Sequence, residues 1–264
     1  MLDAVRETGG ASLHELHVRT GMPKATLLRI LVTLERRRFI WRRIADGFFC
    51  PGTIQDTTKQ TSTSIALLAQ CAGPPLARLQ ARILWPSDLA VRRGNMLMLC
   101  ETNRAQSYFT IKRDEIGFQV NLLRSAGGRA YLAFCPDAER ERILAALRRS
   151  GRQGDSLARD PDALNALLAQ VRKNGYAERE PTFGTDYDKP RSEVDDRLDA
   201  IAVPIHGSKR IYGCITIVWI RGVTTAAQIA AQHLDALLGT AEEISASMLR
   251  AKRVARKGRP EDVE

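Results

Sequence analysis

The chain has 264 residues, of which 44% are hydrophobic, and its 40 lysines and arginines outnumber its 30 aspartates and glutamates. This hydrophobic content is typical of a globular protein and excludes wholesale disorder. No apolar run approaches the roughly 18 to 20 residues that a membrane span needs, and the amino terminus lacks a secretory signal pattern, so we expect a cytoplasmic protein without a membrane partner. The formal net charge of +10 favours a phosphate-rich partner such as nucleic acid.

The cysteines and histidines do not form the pattern of a metal or redox site. The five cysteines are widely spaced and include no CxxC pair, which favours reduced thiols in the core. His14 and His17 lie three residues apart on a predicted helix, but no third ligand is nearby in the sequence. The sequence therefore predicts neither a metal site nor a cofactor.

Residues 1–21 predict a short helix followed by the first helix of a helix-turn-helix. The short helix is expected over residues 2–6. Ser12 and Glu15 have the spacing of a capping box at the start of a helix over residues 13–19, and Gly21 ends that helix. Its inward-facing side chains are predicted to be Leu13, Leu16 and Val18.

The next segment predicts a recognition helix and a wing. Pro23 lies where the first turn of a helix tolerates proline, and apolar side chains at helical spacing follow on one face: Leu27, Ile30, Leu31 and Leu34. Asp46 and Gly47 then separate two apolar-rich runs, which is a strong signal of a β-hairpin. Together these elements predict a winged helix-turn-helix over residues 1–54, with the helix-turn-helix itself over residues 12–31.

The rest of the chain predicts a linker helix and an α/β body, so the whole protein is expected to be α+β. The linker helix is expected over residues 55–74, because Gly73, Pro74 and Pro75 should break it, and another short helix over residues 76–83. Strands are predicted over residues 88–92, 96–101, 108–113, 200–205 and 211–220, and helices over residues 125–134, 137–149, 160–174 and 226–252. The body then spans residues 75–252, and a basic, finally acidic, tail spans 253–264.

Basic residues concentrate on the predicted recognition helix and wing. Seven basic residues and one acidic residue lie between positions 24 and 43. A helix fits the major groove of DNA, and residues near its amino terminus reach base edges. The residues expected to contact DNA are Lys24, Ala25, Thr26 and Arg29 on the helix and Arg42 and Arg43 in the wing. This pattern predicts binding to double-stranded DNA.

These motifs resemble the IclR family of bacterial transcriptional regulators. The segment TGMPKATLLRILVTLERRRFI is similar to the family's helix-turn-helix signature, SAGGRAYLAFCP to its small-residue helix, and IAVPI with IYGCITIVW to its pair of core strands. The resemblance covers nearly the whole chain and implies a winged helix-turn-helix, a helical linker and a GAF-like α/β effector-binding domain. Within the family, ILWPSDLAV, LAFCP and the strand with Gly213 and Cys214 are most similar to regulators of 3-hydroxyphenylpropionate catabolism.

The resemblance also implies a ligand pocket between the sheet and its flanking helices. Ser125 begins a helix whose next two amides, those of Ala126 and Gly127, would bind the carboxylate of an effector. Large aromatic side chains are candidates for the pocket wall, although they are also common in cores. These are Trp85, Phe118 and Trp219, the last of which would point the other way if the strand alternates regularly.

The sequence departs from the family at the sheet side of this pocket. Members that bind small acids use an Asp, a Cys or Ser, and two Ser, whereas the matching positions here are Ala200, Thr216 and Val218 and the Asp has no clear counterpart. The less polar pocket favours an aromatic or phenylpropanoid-type carboxylic acid, with a small aliphatic acid as the alternative. The family also usually has a fuller first helix than the one that begins here at Met1.

The resemblance implies an assembly as well. A homodimer or tetramer would present paired heads to the two half-sites of a near-palindromic operator, and effector binding would shift the spacing of the heads through the linker helix. RNA polymerase is a further candidate partner. The basic tail either adds contacts to the DNA backbone or is a solubilising end.

An enzyme is the alternative from another functional class. A hydrolase would use Ser125 or Cys135 as nucleophile and His206 or His233 as base, but the sequence contains no GxSxG elbow, P-loop or complete GxGxxG motif. A pure oligomerisation or RNA-binding module is a third interpretation, and the chain lacks the aromatic pattern of an RNP motif. We therefore expect a ligand-responsive regulator of a catabolic operon without enzymatic activity.

Overall fold

The structure, a computed structural model, describes residues 1–52, 60–109, 111, 116–185 and 189–257. They form a helical head with a β-hairpin and a larger α/β body. The helices are α1 (Leu2–Thr8), α2 (Leu13–Thr20), α3 (Lys24–Arg36), α4 (Gln60–Arg82), α5 (Ala126–Phe134), α6 (Asp137–Arg149), α7 (Pro161–Asn174) and α8 (Ala226–Lys257). The strands are β1 (Ile40–Arg42), β2 (Phe49–Pro51), β3 (Ser87–Arg93), β4 (Met96–Thr102), β5 (Gln119–Asn121), β6 (Ala177–Glu178), β7 (Phe183–Thr185), β8 (Lys189–Pro190), β9 (Leu198–His206) and β10 (Ile211–Ile220).

The head is a winged helix-turn-helix built around its own small core. The predicted capping box is confirmed, since the Ser12 N–H donates to Glu15 Oε2 at 2.7 Å and the Glu15 N–H donates to Ser12 Oγ at 3.2 Å. Leu16 is fully buried, but Val18 is 69% exposed, so its predicted inward position is wrong. Val18 follows Leu16 by two residues, which in an α-helix is about 200° around the axis.

The body is a six-stranded antiparallel sheet with helices on both faces. The strand order is β5-β4-β3-β10-β9-β6. Helices α4 and α8 pack against each other and cover one face, whereas α5 packs on β9 and β10 from the other face and α7 packs on α5. Within the described part of the chain, none of the helices combines the length and the hydropathy that a membrane-spanning helix requires.

Helix α4 continues through the segment where the sequence predicts a break. Pro74 and Pro75 lie inside it, and an interior proline costs a helix about 3 kcal/mol. The same helix buries Ala72, Leu76 and Leu79 to 1% exposure or less, and each fully buried leucine contributes about 1.5–3 kcal/mol. Packing therefore maintains one helix instead of the predicted linker and separate short helix. Residues 53–59, where the predicted linker begins, lie outside the described residues.

Other predictions of secondary structure need smaller corrections. Tyr108 and Phe109 form a bend rather than the start of the strand predicted over residues 108–113, and residues 110, 112 and 113 are outside the described part of the chain. The strand that pairs with β4 at this edge of the sheet is β5 instead. The sequence pattern does not predict the short strands β6, β7 and β8. Helix α8 extends to Lys257, so the basic tail predicted from residue 253 begins inside a helix.

The head docks on the body through the tip of its wing. Glu101 of β4 is fully buried, and its two carboxylate oxygens accept the backbone N–H groups of Ile44 at 3.1 Å and Ala45 at 2.9 Å. Ile44 also packs close to α4, because a β-carbon at Gly73 would lie 3.8 Å from Ile44 Cδ1. Burial raises the pKa of Glu101, and the N–H donors of Ile44, Ala45 and Thr102 oppose that rise.

A β-bulge places Glu101 on this face of the sheet. Leu89 pairs with Glu101, but the next residue of β3, Ala90, pairs with Leu99, so Cys100 is the extra residue. Side chains two residues apart on a regular strand share a face. The bulge breaks this rule, and Leu99 lines a cavity on the α5 side while Glu101 contacts the wing on the α4 side.

We predict that Glu101→Ala destabilises the docked head. The substitution leaves two wing N–H groups without their acceptor, at about 1–3 kcal/mol for each unsatisfied group. Glu243→Ala is the matched control, since Glu243 forms a half-exposed ion pair with Arg78 that is worth at most about 1 kcal/mol. Urea unfolding, followed by tryptophan fluorescence, should show a clearly lower midpoint for Glu101→Ala and a nearly unchanged midpoint for Glu243→Ala. Equal midpoints would contradict this role of Glu101.

Candidate functional site

Helix α3, the predicted recognition helix, presents its polar face to solvent. Leu27 and Leu31 are fully buried in the head core. The residues predicted to contact DNA from this helix are all exposed: Lys24, Ala25, Thr26 and Arg29. Since side chains three and four positions apart share a helix face, the structure brings these four residues together at the amino-terminal half of α3.

Leu28 belongs to the same surface and was not predicted. Its side chain is 44% exposed, and it follows Ala25 by three residues and Lys24 by four. An apolar side chain at such a position can contact the methyl group of thymine. The spacing carries this signal, because Leu28 lies outside the apolar stripe that Leu27, Leu31 and Leu34 form on the other face of the helix.

The two wing arginines have different surroundings. Arg42 is exposed and donates from Nε to Gly47 O at 3.2 Å. Arg43 is 23% exposed in its side chain and pairs with Asp46, with Nε 3.0 Å from both carboxylate oxygens. Arg43 therefore braces the wing turn, and a contact to DNA would have to compete with Asp46.

A cavity of about 90 Å³ lies between the amino terminus of α5 and the sheet. It contains most of the residues predicted for the effector pocket, namely Phe118, Ser125, Ala126, Gly127, Thr216 and Val218, together with Ala200. Its other lining residues are Asp88, Ala90, Leu97, Leu99, Arg104, Val120, Arg179, Phe183, Thr185 and Asp196.

Two predicted aromatic residues lie elsewhere. Trp85 does not line the cavity and stacks on Phe109, with ring centroids 4.6 Å apart. Trp219 follows the cavity residue Val218 on β10, so it faces the opposite side of the sheet, where its Nε1–H donates to Thr224 O at 3.2 Å. The indole of Trp85 therefore contributes to core packing rather than to the cavity wall.

The start of α5 leaves backbone donors directed at the cavity end of the helix. Ser125 Oγ donates to Asn121 O at 2.6 Å and accepts the Gly128 N–H at 3.1 Å. The N–H groups of Ala126 and Gly127, in the first helical turn, have no partner among the described residues. A β-carbon at Gly127 would lie 2.9 Å from Leu97 Cδ1 and 3.6 Å from Thr216 Oγ1, so glycine keeps this end of the cavity open.

Two buried ion pairs in the cavity wall were not predicted. Arg104 binds Asp88 through Nε at 3.0 Å and Nη2 at 2.5 Å. Arg179 Nη1 donates to Asp196 at 2.9 Å, and its Nη2 donates to Phe183 O at 2.9 Å. Burial lowers the pKa of Arg179, and the charge of Asp196 opposes this shift. The partners of each pair are 16 or 17 residues apart in the sequence and belong to no recognisable motif. Only the tertiary structure shows that they are paired.

The nucleophiles of the hydrolase alternative are not arranged for catalysis. The hydroxyl of Ser125 is engaged in capping α5. Cys135 is buried, and burial raises the pKa of its thiol to about 11, so the nucleophilic thiolate is disfavoured at neutral pH. His206 packs edge-on against Phe134. Among the described residues, no three His, Cys, Asp or Glu side chains cluster as a metal site would require.

Comparison with known protein families agrees with both parts of the structure. The IclR helix-turn-helix domain matches residues 1–43, and the family described as bacterial transcriptional regulator IclR C-terminal matches residues 60–246. The chain belongs to the IclR family. It is a DNA-binding transcriptional regulator with an effector-binding domain. Members of this family are transcription regulators and not enzymes.

Individual IclR-family relatives are distant in sequence. A probable HTH-type transcriptional regulator, ArcR of Halobacterium salinarum, is 28% identical over 186 residues, which cover 67% of each chain. The Thermotoga maritima IclR structure is 22% identical, covers 94% of this chain and 95% of its own, and has a TM-score of 0.53. An IclR homologue from Microbacterium hydrocarbonoxydans, solved with 4-hydroxybenzoate, is 20% identical, covers 94% and 98%, and also has a TM-score of 0.53.

Three buried or half-buried thiols of this IclR-family protein lead to a pH prediction. Burial raises the pKa of Cys50, Cys71 and Cys135 to about 11 each, above the value near 8.5 of an unfolded thiol. Their contribution to stability is fully present below about pH 8.5 and is lost as the pH rises through 11. We expect slow labelling by iodoacetamide at pH 7.5 and a urea midpoint that falls between pH 8.5 and 10.5. Rapid native labelling, at the rate seen in urea, would contradict this environment.

The predicted DNA surface of the IclR-family head leads to a second prediction. Arg29→Ala should weaken binding to a duplex selected from a random-sequence library and, if Arg29 contacts a phosphate, should reduce the salt slope of log K by about 1. Arg142→Ala, in an exposed position of α6, removes the same charge from the body and should leave the slope unchanged. Identical slopes for wild type and Arg29→Ala, with unchanged affinity, would place the DNA surface elsewhere.

Proposed function

We propose that this IclR-family chain regulates a catabolic operon in response to an aromatic carboxylic acid, including acids of the hydroxyphenylpropionate type. The head over residues 1–52 would bind the operator, α4 would link it to the body, and β3 to α8 would form the effector-binding domain. The observation that carries the proposal is one cavity that combines free helix-start amides with apolar walls.

The carboxylate end of the effector is assigned to the start of α5. The N–H groups of Ala126 and Gly127 and the positive end of the helix dipole favour an anion there. Thr216 supplies a hydroxyl from the sheet, and a side chain at Gly127 would occupy the space between Leu97 and Thr216. A carboxylate at this position would take donors that are otherwise unused.

The body of the effector is assigned to the apolar walls. Phe118 and Phe183 lie in the lining together with Leu97, Leu99 and Val218, and aromatic rings pack well against such side chains. The Microbacterium hydrocarbonoxydans homologue, which has a similar fold, was solved with 4-hydroxybenzoate. This relative supports an aromatic acid as the first class to test.

A small aliphatic acid is the second candidate, and the cavity volume favours it. About 90 Å³ is less than the roughly 150 Å³ of an engineered cavity that holds benzene. An aromatic ring would therefore require side chains such as Phe118 or Leu97 to move, whereas a three-carbon acid would not.

We propose that the wing contact carries the signal of effector binding. Thr102 Oγ1 donates to the cavity residue Asp88 at 2.7 Å, the Thr102 N–H donates to Glu101 Oε1 at 3.0 Å, and the Ala45 N–H donates to the same oxygen at 2.9 Å. A ligand that displaces Asp88 or Arg104 would disturb this chain of hydrogen bonds and so the wing. This route would transmit the signal in addition to the linker helix. It requires that the effector binds one arrangement of head and body more tightly than another.

The DNA-bound assembly is proposed to be a homodimer or tetramer. One recognition helix reads one half-site, and two heads related by symmetry match a near-palindromic operator with half-sites one helical turn or a multiple of it apart. RNA polymerase remains a candidate partner of the assembled regulator.

Thermal shift with a panel of acids tests the effector proposal. 3-(3-hydroxyphenyl)propionate or 4-hydroxybenzoate should raise the melting temperature, because a ligand at 100 times its Kd adds about 2.7 kcal/mol. Gly127→Ala should abolish the shift by filling the carboxylate end of the cavity. Gly239→Ala is the matched control, since a β-carbon at Gly239 meets nothing within 4 Å.

The other outcomes decide between the candidates. A shift with pyruvate or glyoxylate alone would favour the small aliphatic acid and contradict the aromatic assignment. No shift with any acid would remove the support for the cavity as an effector site and leave DNA binding intact.

A further inference from the structure

The guanidinium of Arg179 has one donor that the protein does not use. Its side chain is 8% exposed, and its Nε–H has no hydrogen-bond partner among the described residues. Buried polar groups are nearly always paired, so an orphaned donor of a charged group is a site where a ligand atom gains most. Arg179 lines the same cavity as the start of α5.

The other contacts of Arg179 hold the side chain in place. Nη1 donates to Asp196 at 2.9 Å, Nη2 donates to Phe183 O at 2.9 Å and also to Gly184 O, and the guanidinium lies 4.8 Å from the centroid of the Phe183 ring. Such a guanidinium cannot turn to satisfy Nε without breaking these bonds. Nε itself has almost no accessible surface, so a ligand reaches it only when its entry widens the cavity. It then meets a donor that is already held in place, which lowers the entropic cost of binding.

We infer that Arg179 forms a second oxygen-binding subsite of the effector cavity, separate from the carboxylate subsite at Ala126 and Gly127. The inference rests on the proposed effector cavity and narrows its ligand to an acid with two oxygen-bearing groups. One group, the carboxylate, binds the amides of α5, and the other accepts the Nε–H of Arg179.

The charges of the wall specify which kind of second oxygen is accepted. Arg179 is matched by Asp196 and Arg104 by Asp88, and all four side chains line the cavity. Arg191 Nη1 also lies 3.7 Å from Asp196, but Arg191 is itself balanced by Asp195 and Asp199. Among the described residues, a second carboxylate near Asp196 would therefore meet no positive charge that is not already paired, and like charges at short range disfavour binding in a buried site. The subsite therefore selects a neutral acceptor, such as a phenolic hydroxyl or a ketone, over a second carboxylate.

Three ligands that differ only in this second group test the inference on the full chain. Benzoate has no second oxygen, 3- or 4-hydroxybenzoate has a neutral one, and terephthalate has a second carboxylate. Isothermal titration should show the better hydroxybenzoate binding about 10- to 100-fold more tightly than benzoate, as expected for one charge-assisted hydrogen bond. Terephthalate should bind no better than benzoate.

Arg179→Lys is the decisive variant, because it keeps the charge opposite Asp196 and removes the guanidinium Nε–H. We expect the preference for hydroxybenzoate over benzoate to fall to within about threefold, as the bond that generates it is absent. Since both ligands are measured on the same variant, a general loss of folding cannot produce this result. Arg140→Lys is the matched control: the Arg140 side chain is 15% exposed, pairs with Asp137, donates to two backbone carbonyls and does not line the cavity.

The outcomes separate this inference from the proposed function. If wild type binds none of the three acids, the aromatic effector proposal fails. If wild type binds them and Arg179→Lys keeps the full preference for hydroxybenzoate, the proposed function stands and the Arg179 subsite is overturned. Tighter binding of terephthalate than of either hydroxybenzoate would overturn the selection of a neutral oxygen.

Discussion

The alternation of side chains along β10 is the constraint on which the effector domain depends. This strand lies inside the sheet between β3 and β9. Thr216 and Val218 face the cavity under α5, whereas a β-carbon at Gly213 would lie 3.3 Å from Leu68 of α4, on the other face. Because the side-chain period is two, a slip of one residue would exchange the cavity wall for the helix-packing surface. Register in the sheet therefore positions the cavity and supports α4 at the same time.

The bulge at Cys100 connects this sheet to the DNA-binding head. It lets β4 contribute Leu99 to the cavity and, two residues later, Glu101 to the wing on the opposite face. A regular strand would place both side chains on one face. The fully buried carboxylate gains three backbone N–H donors there, which offsets the cost of its desolvation. The contact makes the orientation of the wing depend on the same strand that forms the cavity wall.

The cavity wall combines apolar packing with balanced charges. Asp88 and Asp196 are held by Arg104 and Arg179 in pairs whose side chains are almost fully buried. Buried pairs contribute little net stability compared with apolar residues of the same size, but they fix the positions of their polar atoms. In this cavity the two ion pairs place polar atoms at defined positions in an otherwise apolar wall. The unpartnered Nε–H of Arg179 is one of these atoms.

The sequence alone determined the local elements: the capping box at Ser12, the hairpin turn at Asp46 and Gly47, the starts of α5 and α7, and the strands β9 and β10, because caps, turns and short periodicities involve near neighbours. It also indicated Ala126, Gly127, Thr216 and Val218 through resemblance to the family. Only the tertiary structure decided the continuity of α4 through two prolines, the role of Glu101, the packing of Trp85, and the pairing of Arg179 with Asp196. These depend on burial and on contacts between distant segments, which override local propensity and leave no short-range pattern.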